Sequence, residues 1–206
     1  SDDGIRVRGD ILDQRQIEIV DVTSRLNGDS NIVVDSGTER DTILLSGVTS
    51  RNNGNNEFGP GLDINAENVT IEDATVQEAD RSGIDVTAES EGTVTIERTV
   101  VSSGSGDDDF RQDDQGITVR SAKKLSINDT EVTNSQDQGI ALFNTDAVAG
   151  GRTVRFSNLT SRSNEGNDIF VGGTTDRDSV LMRGVDAGNN GGGPSINIDS
   201  ENVTIE

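Results

Sequence analysis

The chain has 206 residues and a net charge of −21, is 30% hydrophobic and 2% aromatic, and contains no Cys, His, Tyr or Trp. Those absences exclude a Ser-His-Asp or Cys-His nucleophile, a His-ligated zinc, an imidazole base, a disulfide, and sugar stacking on Trp or Tyr. So little apolar residue would by itself indicate disorder, so order must come from a pattern that needs few of them.

That pattern is a repeat. Apolar residues spaced by two, which share one face of an extended strand, recur as Ile5/Val7, Ile32/Val34, Leu62/Ile64, Ile84/Val86, Ile117/Val119, Ile140/Leu142, Ile169/Val171 and Ile196/Ile198. Each pair is followed by a second: Ile17/Ile19, Ile43/Leu45, Val69/Ile71, Val94/Ile96, Leu125/Ile127, Val154/Phe156, Val180/Met182 and Val203/Ile205. The six residues ENVTIE occur at both 67–72 and 201–206. Gly61 to Val76 shows the unit in its shortest form, with a third pair, Ala74/Val76, after the corner Glu72-Asp73. Three such short strands cannot bury their inward faces alone and need a copy above and below.

The corner between the second and third strands never changes length. Its left-handed position reads Asp21, Gly47, Asp73, Arg98, Asp129, Asn158 and Gly184, nearly all residues that enter that region cheaply. The next inward residues are Val22, Val48, Ala74, Thr99, Thr130, Leu159 and Val185. Short strands stacked around an invariant corner resemble the right-handed parallel β-helix of the pectate-lyase-like superfamily, and the resemblance covers the whole chain. The predicted fold class is therefore all-β, a right-handed parallel β-helix solenoid of about seven to eight coils with three short strands each. Residues 1–206 form a single domain in this reading. Ser1–Gly4 leads straight into a strand and Glu206 directly follows one, without the caps terminal coils usually carry. The chain is accordingly expected to be a fragment, with further β-helix coils of a longer protein as its neighbours. Asn27, Asn53, Ser135, Asn164 and Asn190 fall at equivalent places and predict a polar ladder in the corner before the first strand.

Charge bears on habitat. There are 25 Asp and 13 Glu against 15 Arg and 2 Lys. Excess Asp with scarce Lys resembles proteins of extreme halophiles, and a surface of this kind argues solubility. No basic stripe or aromatic platform suits nucleic acid, and no run of 18 apolar residues suits membrane insertion. An extracellular or cell-surface location is expected.

Chemistry must then come from carboxylates, Arg and Phe. The outward residue within successive first strands is Arg6, Val33, Asp63, Asp85, Thr118, Ala141, Phe170 and Asn197. Asp63 and Asp85 should thus be neighbours about 4.8 Å apart, and such a pair either raises one pKa or holds a cation. The long corners 51–61 and 102–116 should wall the same side. They bring Glu57, Phe58, Phe110 and Arg111 as ligand contacts, and Asp107, Asp108, Asp109, Asp113 and Asp114 as candidate metal ligands. The superfamily resemblance implies a groove on this face. It also implies Asp-based polygalacturonase chemistry, or Asp-held calcium with an Arg base, for which Arg120 is the candidate beside Asp63 and Asp85. No cofactor is required, and calcium is the candidate ion because oxygen-only ligation suits it. Asn144-Thr145-Asp146 matches a polygalacturonase triplet but follows a first strand instead of preceding one, and that family's His motif cannot exist here. Sequons at Asn68, Asn128, Asn158 and Asn202 offer either glycosylation or corner structure.

Two functions follow as expectations. The first is a rigid extracellular scaffold or binding module, such as an adhesin, stalk or viral-fibre segment, contacting a polysaccharide or surface glycan. The alternative is a polysaccharide lyase or hydrolase acting through the acidic groove.

Overall fold

The computed structural model describes residues 3–8, 16–27, 29–36, 41–53, 59–79, 81–88, 91–102, 114–143, 151–172, 177–188, 191–192, 194–200 and 202–206. It is an all-β parallel solenoid, with no helix among the described residues. The eight first strands stack in chain order into one parallel sheet, from Ile5–Arg8 to Ile196–Ile198. The second and third strands make a 13-stranded sheet, because Thr153–Arg162 and Ser179–Gly188 run through the corner unbroken and belong to both stacks. The coil count is close to that expected from the repeat.

Register follows the apolar pairs. Leu62, Ile84 and Ile117 lie in line on adjacent first strands, and Val69, Val94 and Leu125 on adjacent second strands. A slip of one residue would turn every one of them to solvent, so burial fixes the register. Ile84, Val86, Ile96 and Val101 are fully buried in a single aliphatic column. The column loses cover in the last coil, where Ile205 is 66% exposed.

All seven residues expected to be left-handed have positive φ, from 48° at Arg98, Asp129 and Asn158 to 64° at Gly47. Arg98 is the residue least suited to that backbone, and its side chain shows what holds it. Nε and Nη2 donate to the two carboxylate oxygens of Asp73 at 2.7 and 3.0 Å, while Glu72 and Glu97 accept at 2.9 and 3.0 Å. The guanidinium gathers three carboxylates from two neighbouring coils, and its hydrogen bonds hold the Asp73 carboxyl below its ordinary value.

A second left-handed column, Leu26, Glu78, Asn134 and Ser163, closes the third strands, and residue type does not announce it. Just beyond it lie two matching polar plugs. Asn27 donates to Ser24 Oγ and Asn31 Oδ1, and Asn164 donates to Ser161 Oγ and Asp168 Oδ1. Ser24 and Ser161 in turn donate to the carbonyls of Asn31 and Asp168. Asn164 Oδ1 also accepts from the Ser135 N–H at 3.0 Å. The polar ladder is therefore present at Asn27, Ser135 and Asn164, while the Asn53 side chain and Asn190 lie outside the described residues. Between the plugs, Gly61, Gly83, Gly116 and Gly139 take the place of Asn31 and Asp168. A Cβ on any of them would stand 2.3–2.6 Å from the side chain of Val76, Val101, Val132 or Ser161. A side chain is therefore excluded at these four positions. Among the described residues no helix is long and apolar enough to cross a membrane.

Candidate functional site

The outward positions of the first sheet form two rows. In the first, Val33, Asp63, Asp85, Thr118, Ala141, Phe170 and Asn197 follow one another on adjacent strands. In the second, two residues further along each strand, Asp35, Asn65, Thr87, Arg120 and Phe143 do the same. Sequence alternation predicts an open face, but Val33, Thr118 and Ala141 are buried. The Thr118 hydroxyl donates to Gln115 Oε1 and lies 3.1 Å from Ser82 Oγ, so the preceding corner folds over it as a polar shoulder. What the face leaves partly open is an acidic patch at Asp63 and Asp85, then Arg120, then Phe143 and Phe170.

The two carboxylates have unequal surroundings. Arg120 Nη1 donates to Asp85 Oδ1, reaching diagonally from the second row to the first. Asp63 has no salt-bridge partner among the described residues. Burial, followed by repulsion from Asp85, Asp35, Asp29 and Asp3, pushes its carboxyl up to about 6. Asp63 therefore carries a proton at mildly acidic pH, beside a neighbour that faces a guanidinium. A raised folded-state pKa favours the native state only while the proton is bound, so this contribution is full below about pH 4 and lost as pH rises through about 6. Replacing Asp63 with Asn should thus raise stability at pH 8 by roughly 1–2 kcal/mol, after discounting for solvent screening at a partly open site. The gain should vanish near pH 4. Urea unfolding of both proteins at the two pH values checks it, and equal stability at pH 8 would remove the repulsion from the account.

The aromatic end is built by backbone. Phe143 follows Arg120 in the second row, and Phe170 follows Ala141 in the first. Their ring centroids lie 5.6 Å apart at 46°. A Cβ at Gly172 would stand 2.6 Å from the Phe170 ring, so this glycine lets the ring lie down toward the second row. A tilted pair at this separation is a favourable arrangement and a ready apolar platform.

Glu57, Phe58, Asp107, Asp108, Asp109, Phe110, Arg111 and Asp113 lie outside the described residues, as does the triplet at 144–146. Asp114 is described, and its carbonyl accepts from the Asp137 N–H at 3.3 Å. Among the described residues, no three carboxylates are disposed to hold a metal ion. Asn128 is engaged at both ends, donating to Ser126 Oγ and accepting from Ser157 Oγ. Asn158 occupies the left-handed corner and donates to Asp129 Oδ1 at 3.0 Å. Asn202 is exposed but donates to the Asp178 carbonyl, and Asn68 is half-buried. Asn128 and Asn158 thus serve the corners, whatever else the sequons do.

No protein-family model matches the chain, and neither a curated protein nor a solved structure matches it. Any functional reading therefore rests on the geometry alone.

Proposed function

We propose that this solenoid is a rigid, extracellular or surface-displayed module that holds a glycan chain along the outer face of its first sheet. The observation that carries this reading is the band formed by Asp63, Asp85 and Phe170 in one outward row and Arg120 and Phe143 in the next, on five adjacent strands of one sheet. Saccharides need both parts: apolar rings for their C–H faces, and charged hydrogen-bonding groups for their hydroxyls. The rise of one coil, about 4.8 Å, is close to the length of one sugar residue in an extended chain, so successive coils can meet successive sugars. An adhesin, stalk or fibre would present such a band repeatedly without chemistry. The pair Phe143→Ala, Phe170→Ala should weaken oligosaccharide binding about tenfold or more (1.4 kcal/mol) while leaving circular dichroism unchanged. Unaltered binding in calorimetry would overturn the reading.

A hydrolase reading has its own support. Asp63 and Asp85 stand in register on strands about 4.8 Å apart, a backbone spacing nearer the retaining glycosidase carboxyl separation of about 5–5.5 Å than the inverting one. Asp63, its pKa about 6, has the character of a proton donor, and Asp85 beside Arg120 that of a nucleophile. Release of reducing ends from a polysaccharide panel, lost in both Asp63→Asn and Asp85→Asn, would establish catalysis. Binding without release would leave the scaffold.

A further inference from the structure

Within the glycan-binding reading, on which this step rests, the face also dictates the charge of its ligand. Three described guanidiniums border the acidic patch, with Arg120 committed to Asp85, Arg6 to Asp3, and Arg8 in register beside Asp35, so little positive charge is left over. Against it stand Asp63 and Asp35 on the same sheet, with Asp3 and Asp29 from the flanking corners close enough to repel Asp63. Arg6 pairs with Asp3 through Oδ2. The other oxygen, Asp3 Oδ1, is buried without a hydrogen-bond partner, on a side chain only 8% exposed. A buried carboxylate oxygen left without a donor is an unmet demand for one, and it belongs to the carboxylates that crowd Asp63. The whole chain adds its net charge of −21. A uronate-bearing polymer would be repelled over this entire length.

We infer that the first-sheet face of this solenoid binds an amino-bearing, cationic saccharide chain, with ammonium groups over the Asp3, Asp35 and Asp63 carboxylates and a sugar ring on the Phe143–Phe170 platform. Three coils separate Asp63 from Phe143, roughly 14 Å along the stack, so a short oligomer spans both ends. Ammonium groups donate up to three hydrogen bonds each and carry the compensating charge, which a hydroxyl cannot do. The arrangement selects by charge at one end and by shape at the other.

The test is calorimetric titration with three hexasaccharides of similar length: chitosan-derived (free amines), chitin-derived (N-acetylated and neutral) and oligogalacturonate (acidic). It is run just above the Asp63 value of about 6, where glucosamine units still carry part of their charge. The amino hexamer should bind once per chain, about tenfold or more tighter than the N-acetylated one, and the acidic hexamer should not bind. Asp35→Asn with Asp63→Asn should bring the amino and N-acetylated affinities together while keeping the N-acetylated one. Phe170→Ala should weaken both. Equal affinity for the amino and neutral hexamers in the wild type, or preference for oligogalacturonate, would overturn the charge assignment and leave glycan binding standing. Amino-hexamer binding at several sites per chain, unmoved by Phe170→Ala, would reduce the attraction to general surface charge and also overturn it. Failure of all three hexamers to bind would bring down the glycan reading itself.

Discussion

Replacing Asp178 with Ala should destabilise the protein by about 3–5 kcal/mol, because it breaks a buried ion pair by removing one partner. Asp178 and Arg152 lie just before the second strands of adjacent coils, with side chains 2% and 1% exposed. Asp178 Oδ2 accepts from Arg152 Nε at 3.1 Å and Nη2 at 3.0 Å, while Oδ1 accepts from the Arg152 backbone N–H at 2.6 Å. One carboxylate thus neutralises the side chain and satisfies the main chain of the coil before it. Removing it leaves a guanidinium buried without its counter-charge, which costs far more than the pair contributes over an apolar substitute. The double variant Arg152→Met, Asp178→Leu should therefore recover part of the loss, the remainder of about 1–3 kcal/mol being the backbone N–H at 152 that Leu leaves unpaired. Because coils contact only their neighbours, the damage should be local. Hydrogen exchange should accelerate in Thr153–Arg162 and Ser179–Gly188 while Thr93–Glu97 stays protected. Uniform acceleration along the chain, or an Asp178→Ala loss below about 1 kcal/mol, would contradict this account of the pair.

The same pair shows where sequence reading stops. The solenoid was legible because its two signals are local: apolar residues spaced by two, and a corner of fixed length whose Asp, Asn and Gly mark a backbone that few residues accept. Even Arg98, an unsuited residue, could be placed there by counting from Ile96. The acidic pair Asp63 and Asp85 was legible for the same reason, since register alone stacks them. What escaped depends on contacts between unequal positions. Phe170 meets Phe143 across two rows only because Gly172 leaves space for its ring, whereas Arg120 is already expected beside Asp63 and Asp85. Arg152 and Asp178 each stand two residues before a second-strand apolar pair, so their alignment could be counted from Val154 and Val180, but their burial could not. The glycine column at 61, 83, 116 and 139 was in view as a Gly before four successive first strands, a signal that counting from Ile84 and its equivalents would have found.

Thermal stability should rise steeply with salt, by roughly 6–12 °C between dilute buffer and molar NaCl, if a few kcal/mol of repulsion are relieved in a chain of this size. The physical basis is the imbalance of 38 acidic against 17 basic residues on a solenoid whose aliphatic column is thin. Screening shortens the Debye length from about 10 Å at 0.1 M to about 3 Å at 1 M. Two opposing effects are screened together. Exposed pairs such as Arg162–Asp186 and Arg183–Glu206 lose attraction, but pairs of this kind are worth only about 0–1 kcal/mol each. Unpaired carboxylates outnumber them, so relief of repulsion wins. Sucrose at matched osmolality separates this from general stabilisation by excluded solutes, since it strengthens burial without screening charge. A melting temperature that climbs in NaCl but barely in sucrose identifies charge repulsion as the force against which the coils are held. A flat response in NaCl would mean that clasps like Arg98, drawing Glu72, Asp73 and Glu97 onto one guanidinium, already balance the acidic surface, and the halophile-like composition would lose its energetic meaning.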